Sequence, residues 1–362
     1  MKITKIESFT KDHNGLVRVT TDDGAIGWGQ VSSYNADITA IVLHRQVARH
    51  ALGRDPLSVD AISDRVIDAN LKFPWSYVCR ALCGVDTALW DLHGKLEQKS
   101  VCELLGGKPR PFPAYASSMR RDITPADEAE RLARLRDEKG YRSFKIRVGK
   151  TAGHDEDQWE GRTEELVPTV RAAIGDDANL LVDGNSCYSA DKAIEVGRML
   201  EQNRVCHFEE PCPYWELEWT AEVTSALDLD VTGGEQDNDL AQWRRMIKMP
   251  AVDIVQPDVC YVGGLTRALR VAKMAGEAGM KCVPHSANHS LVTVFSLHML
   301  GAIPNAGDYL EFSIEDQKGH RGAYGPELEA VDGCVQIPDG PGWGVTINDE
   351  WLAAADHRVS EG

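Results

Sequence analysis

No stretch of this 362-residue chain reaches the ~18 consecutive apolar residues that a membrane span needs. The opening Met1-Lys2-Ile3-Thr4-Lys5 leads into no apolar signal core. Basic charge is scarce too: 39 Lys and Arg face 56 Asp and Glu, a formal net charge of −17. That balance argues against nucleic acid and anionic membrane as partners. The nine cysteines make an odd total and contain no Cys-x-x-Cys pair. Reduced thiols in a cytoplasm are therefore expected, not a disulfide framework. Cys79 and Cys83 share a helix face, with packing as their reading, and Asn288-His289-Ser290 is set aside as a glycosylation acceptor for want of a secretion signal. If the substrate is an anion, the site must gather positive charge against this acidic background.

What the chain does have is two kinds of pattern. In the first ~110 residues, Leu16 to Thr20 alternates as a strand, Asp23-Gly24 signals a hairpin turn, and Ile26-Gly27-Trp28 starts the return. Helical periodicity follows through Ala88-Leu89-Trp90-Asp91 to Leu104-Leu105-Gly106-Gly107, so residues 1–112 read as an α+β unit. Pro111 and Pro113 mark its boundary. From 113 to 324 strand and helix alternate. Thr124, Pro125 and Gly140 punctuate one helix, and Ser189 caps another. Eight strand candidates begin with Phe112–Ser117, Phe144–Val148 and Leu180–Asp183; the last three are Val252–Asp258, Lys281–Ser286 and Asp308–Phe312. Most are joined by helices, which predicts an α/β fold, a closed (β/α)8 barrel. The tail 325–362 lacks the repeat and is expected to return to the first unit.

Barrel chemistry sits at the C-terminal strand ends. There the chain places Lys145 and Arg147, then Asp183 and Asn185, Glu209 and Glu210, Glu235, Asp258, His285 and Glu311. Lys145 and Arg147 are two apart, so both point to one face. A lone charge at a strand end reads most simply as solvated. Asp183, Glu209, Glu235, Asp258, His285 and Glu311, however, recur at intervals of 23 to 27 residues, and surface charges have no reason to keep step with a barrel repeat. Asp183, Glu209 and Glu235 offer hard oxygen ligands from three successive strands, a set suited to Mg2+.

These residues resemble the enolase superfamily and, within it, the mandelate racemase subgroup. The resemblance runs through Ala88-Leu89-Trp90-Asp91, Leu104-Leu105-Gly106-Gly107, Val182-Asp183-Gly184-Asn185, Phe208-Glu209-Glu210-Pro211, Gly233-Gly234-Glu235, Gln256-Pro257-Asp258, Gly263-Gly264 and Pro341-Gly342-Trp343-Gly344. It implies an α+β capping domain from both termini over a modified TIM (β/α)8 barrel, Mg2+ on Asp183, Glu209 and Glu235, and His285 oriented by Asp258. Lys145 would help hold a substrate carboxylate, and Glu311 would face its outer oxygen as a protonated acid. The shared chemistry is removal of the proton beside a carboxylate, with cation and donors stabilising the charge that develops.

Two departures shape the expectation. Many relatives end the second barrel strand Lys-x-Lys; here it is Lys145-Ile146-Arg147. Arginine stays protonated and grips carboxylates, so a two-base racemase loses support. His285 is then the principal base, with Lys145 a possible second. The leading expectation is a lyase that dehydrates an acid sugar to a 2-keto-3-deoxy acid. The alternatives are a racemase, epimerase or lactone cycloisomerase using the same enolate, and a barrel that binds an acid without turning it over. The second departure is a short loop, Phe9–Gly15, ahead of the hairpin. Another chain, the 31–35 segment or the 72–75 stretch must then close the site, and a symmetric oligomer is expected.

The remaining residues have blander readings. His285 and His289 have a zinc-like spacing but lack the accompanying glutamate. His207 divides evenly between facing inward and packing. Glu210 suits a supporting role, Asn185 either substrate contact or a structural amide, and 154–157 a solvated acidic loop. Gly263-Gly264 opens a helix and could hold an anion, with tight packing the safer account.

Overall fold

Asp23-Gly24 makes the turn that its sequence predicts, joining β2 (Asn14–Thr21) to β3 (Ile26–Gln30). In the computed structural model, which describes residues 1–362, β1 (Ile3–Lys11) pairs with β2 across a two-residue turn at Asp12-His13. The segment expected as a short loop is thus almost wholly hairpin. Helix α1 (Tyr77–Glu97) lies on this sheet. Gly27 and Gly29 explain how closely: a Cβ on either would collide with the helix at Ala88 or Thr87.

The barrel follows as β4 (Pro111–Ser117), β5 (Ser143–Arg147), β6 (Asn179–Asp183), β7 (Val205–Glu209), β8 (Asp230–Gly233), β9 (Ile254–Val255), β10 (Lys281–Cys282) and β11 (Leu310–Ser313). Neighbours pair in parallel, and β11 returns to β4. Between β10 and the segment leading into β11 the closure is a pair of hydrogen bonds, Cys282 N to Asn305 O at 2.9 Å and Gly307 N to Cys282 O at 3.0 Å. Seven helices fill the crossovers: α2 (Pro125–Lys139), α3 (Arg162–Ile174), α4 (Ala190–Gln202), α5 (Leu217–Ala226), α6 (Leu240–Lys248), α7 (Leu265–Glu277) and α8 (Leu291–Leu300). None of comparable length follows β11, so the modified barrel is eight strands with seven helices.

Local signals act as read. Thr124 Oγ1 accepts from Asp127 N, Pro125 opens α2, and Gly140 ends it in the left-handed region at φ 72°. Ser189 caps α4 through Lys192 N. On β5 every residue is buried, with the apolar Phe144 and Ile146 alternating with Lys145 and Arg147. Two apolar clusters result. One joins the barrel strands to their helices through residues such as Phe144, Val182, Phe208 and Val231. The other sits under the capping sheet and includes Ile6, Val17, Val19, Leu82 and Leu89. Each such fully buried side chain contributes roughly 1.5–3 kcal/mol.

Two details differ from expectation. β9 and β10 are only two residues long, so Asp258 and His285 stand in loops beyond the strands. The tail serves both units: β12 (Cys334–Gln336) adds antiparallel to β4, and only β13 (Asp356–Glu361) pairs with β1. All nine cysteines are free thiols, with Cys79 and Cys83 buried. No helix is long and apolar enough to cross a membrane.

Candidate active site

Between the C-terminal strand ends and the cap lies a cavity of about 700 Å3. Arg147, Asn185, Glu235 and His285 line it, while His13, Ser33 and Tyr34 enter from the cap. Of the candidate lids, 31–35 therefore reaches the site. The 72–75 stretch does not; its Phe73 is 83% exposed. The rim is fastened to the barrel by Gln30, which donates to Ser290 Oγ at 2.7 Å and accepts from Leu291 N at 3.0 Å. His13 stacks on His320 with ring centroids 5.1 Å apart.

Beneath the cavity the charged side chains form one network. In-register pairing sets Arg147 beside Asp183 and Asp183 beside Glu209. Lys145 is fully buried, and its Nζ lies 2.8 Å from Glu209 Oε1, 2.7 Å from Glu311 Oε1 and 3.5 Å from Asp183 Oδ2. Arg147 reaches Asp183 Oδ2 at 2.9 Å. Burial opposes the charge on Lys145, but Glu209 and Glu311 outweigh it and raise its pKa well above the ordinary range. Burial likewise opposes the charge on Glu209, and Lys145 overcomes it, holding that carboxyl well below its usual range.

Glu311 does not match the expectation of a protonated acid. Burial pushes it up, yet the Lys145 ammonium and then His285 prevail and bring it down to about 2. It accepts from Ser117 Oγ at 2.8 Å and Ser286 N at 3.0 Å, so each oxygen has a donor. An ionised, fully bonded carboxylate is what that geometry holds.

His285 hydrogen-bonds Asp258 Oδ2 through Nδ1 at 2.8 Å. Asp258 is itself fixed, accepting at Oδ1 from Cys260 N and Tyr261 N. The other ring nitrogen, Nε2, lies 3.1 Å from Glu235 Oε2 and 3.8 Å from Glu311 Oε2. Burial lowers the imidazole pKa, but Glu235 and Glu311 lift it well above 6.5, so in this arrangement it is a cation. Burial and then the neighbouring Glu209 and Asp183 charges push Glu235 up to about 7, against the pull of His285.

Asp183, Glu209 and Glu235 fit Mg2+ by donor type and by their places on adjacent staves. They are not gathered as a ready-made cage. Asp183 is turned onto Arg147, Glu209 onto Lys145, and Glu235 onto His285, so protein cations neutralise them. Glu210 adds a buried Oε1 with no partner, while its Oε2 accepts from Gln236 at 3.2 Å. The loops after β6, β7 and β8 all turn through the left-handed region, at Asn185, Glu210 and Gly234.

The remaining residues sort clearly. His207 faces inward, 3.2 Å from Glu209 Oε2. His289 packs edge-on against Phe312 and takes no part in a zinc site. Asn185 accepts from Arg121 and Arg147 while its Nδ2 donates to Asp183. The acidic loop is not merely solvated, since Asp155 accepts from Ser189 N and Asp157 from Thr163 N. At Gly264 a Cβ would strike Asp86, which favours close packing over an anion site. Sequence reasoning missed Arg121, Tyr261 and Gln256. Gln256 lies inside a quoted motif and donates to Glu209 Oε2 at 3.0 Å. Arg121 lies four residues past the end of β4, outside the strand-end positions that alternation marks.

Known proteins agree with this architecture. Residues 3–106 match the mandelate racemase / muconate lactonizing enzyme N-terminal domain, and 127–351 the enolase C-terminal domain-like model. D-galactarolactone cycloisomerase of Agrobacterium fabrum is 32% identical, over 95% of this chain and 91% of that one. Arabinonate dehydratase of Saccharolobus solfataricus is 28% identical, over 91% and 87%. A crystal structure from Roseobacter denitrificans, described as a candidate racemase, has 58% identity and a TM-score of 0.98 over both whole chains. A mandelate racemase/muconate lactonizing protein from Paracoccus denitrificans, complexed with magnesium, has 28% identity and a TM-score of 0.91 over 99% of this chain and 98% of that one. With both of its domains matched and its barrel closed over the predicted strand-end residues, this chain belongs to the mandelate racemase / muconate lactonizing enzyme family of the enolase superfamily.

Proposed function

We propose that this protein is a Mg2+-dependent acid-sugar dehydratase. The observation that carries the reading is His285, which lines the cavity with one nitrogen pinned by Asp258 and the other on Glu235, above the buried Lys145 and Glu311. His285 takes the proton from the carbon beside the substrate carboxylate. The electron pair left behind expels the hydroxyl on the next carbon, which departs as water with the proton that His285 returns. The enol product tautomerises to a 2-keto-3-deoxy acid. Base action requires Glu235 to be engaged elsewhere than on Nε2. Lys145 contributes positive charge towards the carboxylate, as does the Arg147 fork, and Asp258 keeps the imidazole in one tautomer.

Asp183, Glu209 and Glu235 would hold Mg2+, whose positive charge would stabilise the enolate oxygens. Several relatives carry names of this chemistry: arabinonate, D-gluconate, D-xylonate and L-talarate/galactarate dehydratases. Those names divide between monoacids and diacids.

A second reading draws support from the relatives named as a cycloisomerase and a candidate racemase. It uses the same enolate with Lys145 and His285 on opposite faces. Arg147 at the usual second-lysine position, and Lys145 held by three carboxylates, favour elimination. Incubation with acid sugars and Mg2+ should yield keto acid that semicarbazide traps; configurational change without loss of water would instead select the second reading. His285→Asn should abolish exchange of the substrate's α-proton with deuterated water. Exchange at the wild-type rate in that variant would remove His285 from its role.

A further inference from the structure

We infer that Arg121 binds a second carboxylate of the substrate, so that the preferred substrate is a sugar diacid. This rests on the acid-sugar reading above and narrows its substrate class.

Every other arginine or lysine in the site has an acidic partner. Lys145 faces three carboxylates, and Arg147 is paired with Asp183. Arg121 lines the same cavity yet makes no salt bridge. Its Nε donates to Gly149 O at 3.1 Å, and its Nη2 to Val148 O at 3.3 Å and Asn185 Oδ1 at 2.9 Å. No acceptor engages Nη1. The guanidinium is therefore clamped in place by uncharged oxygens, with one nitrogen and its full charge left over. Burial lowers its pKa to about 10, which still leaves it a cation at neutral pH. Arg121 is half-buried, so its charge is only partly screened by water, and a planar fork that is already positioned suits a carboxylate.

Its height in the cavity separates it from the reacting end. Ser117, at the end of β4, bonds the fully buried Glu311 below the cavity. Arg121 comes four residues later and is held by carbonyls that lie past the end of β5. Asn185 bridges the two levels: its Oδ1 accepts from both guanidinia, while its Nδ2 bonds Asp183. A substrate whose first carboxylate lies beside Arg147 and His285 thus meets a second fixed cation, one without a counter-ion, in the same cavity.

The test compares galactarate with galactonate and glucarate with gluconate, each with Mg2+, in wild type, Arg121→Gln and Arg121→Lys. For at least one pair, wild-type kcat/KM for the diacid should exceed that for the monoacid by about 10²-fold or more. Arg121→Gln should bring that ratio close to one, chiefly through the diacid KM, and Arg121→Lys should recover part of it. The same diacid should raise the melting temperature of the wild type and not of Arg121→Gln. A wild-type preference for the monoacid in both pairs, or a ratio that Arg121→Gln leaves unchanged, overturns the inference while keto-acid formation upholds the dehydratase reading. Arg121-dependent stabilisation by a diacid with no keto acid from any of the four would support the inference and sink that reading. Neither stabilisation nor turnover would count against both.

Discussion

His285 Nδ1 and Asp258 Oδ2 stand 2.8 Å apart although 27 residues separate them, and neither lies on a strand. The pair is assembled by two loops after two-residue strands. Asp258 also caps the turn Val259–Val262, so a single carboxylate sets both its loop and the imidazole.

That double duty predicts how Asp258→Asn behaves. The amide oxygen can still accept from Cys260 N and Tyr261 N, so folding should change by less than about 1 kcal/mol. The imidazole loses its charged partner and fixed tautomer, and kcat should fall by roughly 10²–10⁴-fold. Steady-state keto-acid formation alongside a thermal melt checks the split. A large drop in melting temperature with kcat intact would reverse the assignment.

Removal of Lys145 should expose the repulsion it suppresses. Lys145→Met leaves Asp183, Glu209 and Glu311 without their buried ammonium, and losing one member of such a pair costs about 3–5 kcal/mol. On the magnesium reading, the loss is larger in EDTA than in saturating Mg2+. The wild type should itself gain about 2.7 kcal/mol at a hundredfold excess of Mg2+ over its Kd. Asp183→Asn should weaken that gain, which denaturant titrations with and without the metal would measure.

Asp91 joins two motifs that lie far apart in the chain. Its carboxylate accepts from Trp28 N at 2.7 Å and Trp343 N at 3.0 Å, and pairs with Lys95 at 2.5 Å. Asp91→Ala strands two amides, each costing about 1–3 kcal/mol if buried. The melting temperature should drop on the order of 10 °C, with a smaller drop for Asp91→Asn. Calorimetry showing less than a degree for both would mean the joint is dispensable.

Acid stability should report His298. The ring is fully buried, accepts from Cys102 N at Nδ1 and bonds Trp343 O at Nε2, which fixes the neutral form. Burial lowers its pKa from 6.5 to about 4. As pH falls through that window the unfolded chain takes up the proton first, so stability is complete above about pH 6.5 and declines towards pH 4. The loss reaches about 3 kcal/mol by the lower limit. His298→Gln should flatten that part of a pH series of urea unfolding curves, and an unchanged slope would exclude His298 as the cause.

The sequence by itself determined the barrel and the order of its strand-end residues, because side-chain alternation and the repeat length are local, periodic properties. It also marked the caps of α2 and α4 and the turn before β3. Only the tertiary structure decided what each charge answers to. Glu311 is ionised because Lys145 lies 2.7 Å away, a distance set by strands that the chain separates by more than 160 residues. Arg121 is unpaired, and the 72–75 stretch misses the cavity, for the same reason: electrostatics and closure depend on which neighbours fill the space, and periodicity carries no record of that.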